Sequence, residues 1–402
     1  MMERTKNFAS AFIYSDAVAQ LEYAANHPFK PIRAKLTLDL CRRYGLIGHP
    51  WMRILEPKPL DFASLAEFHD IEYLNVLKEA NKGSLPGNLW MDQLRSAENP
   101  QDFDPKILQY GLGTGDNPIF PGVYDFATLT AGGTLMGAKM LAAGEANVVF
   151  NPLGGFHHAG RDHAEGFCFV NDIAIAILHL LRQGLRVAYV DIDAHHGNGV
   201  QDAFYRDNRV LFISFHETGR EIYPWSGFED EIGEGAGKGF NVNVPMPKYT
   251  DDDMFLQAFE EIVPPLMYAF GPDIVIAELG ADTHRGDPLT DLNMTNYGFR
   301  EAVKMLMEDA PRLLGLGGGG YDVYQTARSW TLAWGIMNGL EPVDEFAGVV
   351  GGMMFGPESE AGSLHDQTVH TKGMVRERIQ REMARVVEYL KWNVFPIHRI
   401  YS

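Results

Sequence analysis

Residues 187–199 read VAYVDIDAHHGNG. Four apolar residues, three of them β-favouring, run straight into acids and imidazoles, and two glycines close the segment. A short apolar run that ends in chemistry-bearing side chains fits a buried parallel strand delivering a site at its carboxyl end. The strand is expected over 187–194. On an extended segment alternate side chains share a face, so Asp193 and His195 could reach one cation together.

Working outward, four further apolar runs read as buried strands: 147–153, 210–216, 274–281 and 313–316. Between them, 124–143, 173–181, 252–268, 297–307 and 324–337 carry helical spacing of apolar residues. Strand–helix alternation predicts a mainly parallel sheet with helices on both faces. Towards the N-terminus, 33–44 and 64–80 read as helices beside that sheet. A last helix, 373–392, carries the stripe Met374, Val375, Ile379, Met383, Val386, Val387 and Leu390, expected to be core packing.

Each predicted strand runs into polar chemistry. The first is followed by Gly154-Gly155-Phe156-His157-His158, the second by Asp191 to His196, the third by His216. The fourth is followed by Gly280-Ala281-Asp282 and the last by four glycines and Tyr321. Five strand ends delivering such residues to one sheet edge predict a site. Asp282 is the best placed third ligand beside Asp193 and His195. Two carboxylates and one imidazole suit Zn²⁺ or Fe²⁺ and leave positions open for water and a substrate carbonyl. A buried Asp–His hydrogen-bond network without metal is the alternative. His157 and His158 read as general base and electrostatic partner, and Tyr321 as a donor to a developing oxyanion. Residues 315–320 formally fit a dinucleotide fingerprint. They sit at the last strand with no acidic residue about 20 positions on, so that reading is rejected.

Bulk properties narrow the class. The chain has 402 residues, 46% hydrophobic and 22% charged, an ordinary globular balance. Basic residues number 34 against 53 acidic, a net charge of −19. That disfavours nucleic-acid binding and would favour cationic substrates, although plain solubility explains it more simply. No signal peptide and no membrane span are expected. The two cysteines, Cys41 and Cys168, fit a reducing cytoplasm rather than a disulfide framework.

The motifs GGFHHAGRDHAEGFCFVND (154–172), YVDIDAHHGNGVQDAF (189–204), ISFH (213–216), ELGADTHRGDP (278–288), NMT (293–295) and GLGGGGY (315–321) appear in order. With YSDAVAQLEYAANHPFKPIR (14–33) and FHDIEYLNVL (68–77), they resemble the zinc-dependent histone deacetylase superfamily over roughly residues 10–340. The acetoin-utilisation (AcuC-like) and class I enzymes are nearest. The resemblance implies the arginase/deacetylase fold, an α/β architecture with a central eight-stranded sheet. It implies a catalytic domain over 1–340 and a C-terminal extension, 341–402, packed on it.

The resemblance also assigns roles. The zinc ligands would be Asp193, His195 and Asp282, the paired histidines His157 and His158, and the oxyanion donor Tyr321. Gly166, Phe167 and Tyr223 would line the tunnel for an acyl-lysine stem, Asp116 would stand at its rim, and Arg33 would serve an acetate-release cavity. K⁺ would bind at Asp191, Asp193, His195, Ser214 and Phe215, and again at Phe204, Asp207, Val210 and Phe240. One departure stands out: Asn198 replaces the aspartate that class I enzymes place behind the second histidine, while His157 keeps Asp191 as a carboxylate partner. The implied activity is hydrolysis of an acetylated protein lysine, with an acetylpolyamine or small amide as the alternative. Oligomerisation stays open. A two-manganese ureohydrolase is disfavoured because Gly197 stands where a second-metal aspartate would be. A non-catalytic acyl-amine binder is disfavoured because ligands and tyrosine are all present.

Overall fold

The computed structural model describes residues 9–19, 21, 23, 26–82, 105–342 and 364–401. Part of the expected extension, 343–363, lies outside them. Eight strands form one sheet: β1 (Ser10–Ile13), β2 (Met52–Leu55), β3 (Val148–Asn151), β4 (Val187–Asp191), β5 (Val210–Glu217), β6 (Asn241–Met246), β7 (Ile274–Glu278) and β8 (Leu313–Leu316). Their order is β2-β1-β3-β8-β7-β4-β5-β6. Every pairing is parallel, so the sheet is wholly rather than mainly parallel.

Both faces are covered, which explains the unbroken apolar runs. On one face Ile13, Val149, Tyr189, Phe212, Ile276 and Leu314 share a core with helices Val123–Ala142 and Asp172–Arg182. On the other, Phe12, Phe150, Val190, Ile213, Val275 and Leu313 pack with helices Ile32–Arg43, Asp252–Phe270, Asn296–Asp309 and Val323–Met337. Residues Ile379, Met383, Val386, Val387 and Leu390 of helix Gly373–Asn393 are buried in this second core, whereas Met374 and Val375, expected in the same stripe, lie in the first turn and are exposed.

The expected strand over 187–194 stops at Asp191. Beyond it, Asp191 Oδ1 accepts from the backbone N–H of Asp193 at 2.9 Å, and Asp193 Oδ1 from that of His195 at 2.8 Å. Aspartates that capture the N–H two residues on curl the chain into consecutive turns. Asp193 and His195 therefore project from a loop, and the strand alternation invoked for them does not apply. The single helix expected over 64–80 divides into Phe62–Leu65 and Ile71–Ala80. Among the described residues no helix is long and apolar enough to cross a membrane.

Candidate active site

The loops after β3, β4, β7 and β8 meet at the carboxyl edge of the sheet. One ligand atom each from Asp193, His195 and Asp282 lies within 4.8 Å of the others, and all three side chains are buried. Their remaining contacts set orientation. Asp193 Oδ2 accepts from the N–H of Gly319 at 2.6 Å and Asp282 Oδ1 from that of Ala194 at 2.8 Å. His195 Nδ1 faces Asp282 Oδ2 at 2.9 Å and Asp193 Oδ1 at 3.3 Å. A Cβ on Gly319 would collide with the Asp282 carboxylate, so only glycine lets this backbone approach.

The donor set fits a divalent cation. Burial, then the Asp193 carboxylate, pushes Asp282 up to about 7. Burial also opposes ionisation of Asp193, yet its hydrogen bond with His195 and the charges of His157 and His195 hold it below the usual range. Two buried carboxylates this close are electrostatically unfavourable unless a positive charge sits between them. Oxygen, nitrogen, oxygen is a ligand set that Zn²⁺ accepts.

Beside this cluster the paired histidines are wired to different partners. His157 Nδ1 donates to Asp191 Oδ2 at 2.9 Å, and that carboxylate also accepts from Tyr189 Oη at 2.8 Å. His158 Nδ1 meets Asn198 Oδ1 at 2.7 Å, and the two Nε2 atoms lie 3.1 Å apart. Burial lowers the pKa of both. For His157 the Asp191 charge outweighs it and the net shift is upward. For His158 the neighbouring His157 and His195 add to burial and the shift is strongly downward. The two adjacent rings are thus shifted in opposite directions by their different partners.

Tyr321 closes the other side. Its ring is 6.3 Å from that of His195 and 5.8 Å from that of Phe167, both edge-on. Its N–H donates to Asp287 Oδ2 at 2.8 Å, which anchors the residue after the glycine run. Burial, then Asp282 and Asp193, keeps the phenol protonated and hence a donor. Phe167 adopts φ +69° after Gly166 at +52°, in a tight turn closed by reciprocal backbone bonds between Glu165 and Cys168. A non-glycine residue there costs about 1–2 kcal/mol. The turn presents the Phe167 ring to Tyr321, while Tyr223 packs edge-on against His158 at 5.1 Å. The narrow cavity among these groups is lined by His157, His158, Phe167, Asp193, Gly319 and Tyr321. A roomier groove of about 680 Å³ near Asp70, Tyr110 and Arg161 contains none of them.

The remaining expected residues fall at different depths. Arg33 is buried and donates to the carbonyls of Gly320 at 2.6 Å and Gly318 at 2.9 Å, behind Tyr321. Asp116 is exposed, and its carbonyl accepts from His27, whose ring lies 4.5 Å from Phe167. Asp191 and Ser214 are register partners on adjacent strands, but the Ser214 hydroxyl bonds His216 at 2.9 Å. The carbonyls of Phe204, Asp207 and Phe240 accept the N–H groups of Asp207, Val210 and Phe212. His216, grouped with the site by its place on β5, instead donates to the Gly227 carbonyl at 2.8 Å.

Sequence reading passed over three acids. Asp172 accepts from the N–H groups of Gly155 at 3.0 Å and Phe156 at 2.8 Å, fixing the turn before the histidines. Asp287 anchors Tyr321. Glu278, fully buried at the end of β7, has no hydrogen-bond partner on either carboxylate oxygen among the described residues. All three lie inside the quoted motifs, which was the available signal.

A family profile described as a histone deacetylase domain matches residues 27–337. The chain is 36% identical over 331 residues to Histone deacetylase B of Dictyostelium discoideum, covering 82% of this chain and 74% of that one. It is 36% identical over 343 residues to Acetoin utilization protein AcuC of Bacillus subtilis (strain 168), covering 84% of each. A crystal structure of an HDAC homolog complexed with SAHA superposes with a TM-score of 0.80 at 30% identity, over 96% of this chain and 100% of that one.

Proposed function

The chain belongs to the histone deacetylase family, and from that premise we propose that it hydrolyses acyl-lysine-type amides, releasing acetate and a free amine. The observation that carries the reading is the buried Asp193–His195–Asp282 cluster opening onto His157, His158 and Tyr321. These three residues would hold one divalent ion, Zn²⁺ by donor type with Fe²⁺ as an alternative. When bound, such an ion supplies Lewis acidity that acidifies a water and polarises an amide carbonyl.

The chain's own groups do the rest. His158, neutral and with its Nδ1 proton committed to Asn198, takes the attacking water's proton at Nε2. His157, cationic against Asp191, offsets the developing negative charge, and a proton from the pair passes to the leaving amine. Tyr321 donates to the oxyanion from the opposite side. Phe167 and Tyr223 flank an unbranched amine stem and exclude water from it. Arg33 would assist departure of acetate, Asp116 would hold the substrate at the rim, and the strand-end groups of β4 and β5 would bind K⁺.

Tyr321→Phe tests the assignment. Removing one oxyanion donor is expected to lower kcat about 10²–10³-fold with metal content unchanged. Wild-type turnover in that variant would exclude the role. A panel of acetyl-lysine peptides, acetylpolyamines and small amides decides substrate class. Faster turnover of acetylpolyamines than of peptides would favour the alternative.

A further inference from the structure

Asn198 stands where a carboxylate would accept from His158 with either oxygen. An amide has only one accepting end. Turned by 180°, it would offer Nδ2 to His158 Nδ1, draw the imidazole proton to Nε2 and remove the basic lone pair from the reacting side. Something must fix the amide's direction.

Glu165 meets that need. Its Oε2 lies 3.1 Å from Asn198 Nδ2. An ionised carboxylate only accepts, so a reversed amide would set Asn198 Oδ1 against Glu165 Oε2, two acceptors at hydrogen-bond distance. The carboxylate is itself held. The reciprocal backbone bonds to Cys168 anchor its main chain, and His163 Nε2 meets the same Oε2 at 3.3 Å. His163 in turn contacts Asp162 at 2.7 Å through Nδ1. Burial works against ionisation of Glu165, but its interactions with His163, Tyr223 and Asn198 together outweigh it. A chain of contacts thus runs from the half-exposed His163 through Glu165 and Asn198 to His158.

We propose that Glu165 is a positioning residue that locks the Asn198 amide, so that His158 keeps its proton on Nδ1 and presents a bare Nε2. This rests on the hydrolase reading for its kinetic consequence but not for the tautomer. In the full chain labelled with ¹⁵N-histidine, the His158 signals are identified by their loss in His158→Gln. The wild type is expected to show the Nδ1-protonated form alone, and Glu165→Ala a mixture containing the Nε2-protonated form. On an acetyl-lysine peptide, Glu165→Ala should lower kcat about tenfold or more, within the range of a misplaced general base, with KM nearly unchanged. Glu165→Gln, whose carboxamide oxygen still accepts from Asn198, should recover most of that loss. In an Asn198→Asp background, where either oxygen can accept, removing Glu165 should cost nothing further. An unchanged tautomer in Glu165→Ala overturns the proposal, as does an equal kinetic loss in both backgrounds. A wild type inactive on every acyl amine sinks the hydrolase reading instead, and the tautomer comparison still decides the role of Glu165.

Discussion

One carboxylate leaves two adjacent histidines shifted in opposite directions. His157 bonds Asp191 and is held up; His158 bonds a neutral amide and is pushed down. Asn198→Asp should therefore raise the His158 pKa. A base must be unprotonated to act, so a raised pKa means protonation sets in at higher pH. The acid limb of kcat/KM is expected to move upward by about one unit or more. A pH profile identical to wild type would contradict this division of roles. The groups legible in the sequence were those whose own side chains meet at the sheet edge: Asp193, His195, Asp282, the histidine pair and Tyr321. Asp172, Asp287 and Glu165 act on backbone N–H groups or on another side chain's amide. Those partners are chosen by the folded path of the chain, and no spacing rule exposes them.

At the scale of elements, the site depends on where strands end. The apolar run of β4 was legible, its stop at Asp191 was not, because aspartate side chains rather than strand partners capture the next N–H groups. β1, β2 and β6 escaped notice for related reasons. Polar residues shorten the apolar run in each: Ser10 opens β1, Arg53 sits inside the edge strand β2, and β6 alternates asparagine and valine before a proline. A second carboxylate joins two elements away from the site. Asp252 accepts from the Thr295 N–H at 2.8 Å, its hydroxyl at 2.6 Å and the Gly298 N–H at 3.2 Å, tying helix Asp252–Phe270 to helix Asn296–Asp309. Burial pushes its pKa up to about 6, with the Thr295 bonds partly offsetting. The folded protein then binds this proton more tightly than the unfolded chain. The associated stability is present below the unfolded pKa, about 4, and is lost as pH rises through about 6. Asp252→Asn, which keeps the acceptor geometry, should lack that fall, read as the difference between the two melting curves across this window. Parallel curves would contradict it. Asp252→Ala should cost about 1–3 kcal/mol in denaturant unfolding because buried N–H groups lose their acceptor.

For the whole molecule, we propose that the C-terminal extension is part of the catalytic domain. Helix Gly373–Asn393 adds Ile379, Met383, Val386 and Leu390 to the core behind the sheet, and Arg376 reaches the buried Asp251 at 2.7 Å. One cooperative calorimetric transition is expected for the full chain. Val386→Asp should lower its midpoint, since a buried carboxylate without a partner is strongly unfavourable. A separate low-temperature transition, or an unchanged midpoint in Val386→Asp, would show that the helix is an appendage. From Ile379 onward the apolar stripe was readable from its helical spacing, while Met374 and Val375 at its start are exposed; the surface receiving it was not readable, because it is built from helices distant in the chain.

The proposed chemistry rests on one divalent ion held by Asp193, His195 and Asp282. The most direct test is an anomalous-scattering map from zinc-loaded crystals, recorded at the zinc edge. The account predicts one peak about 2.0–2.2 Å from a carboxylate oxygen of Asp193, Nδ1 of His195 and a carboxylate oxygen of Asp282. An empty position among those three atoms, or two peaks about 3.5–4 Å apart as in a dinuclear hydrolase, would contradict it.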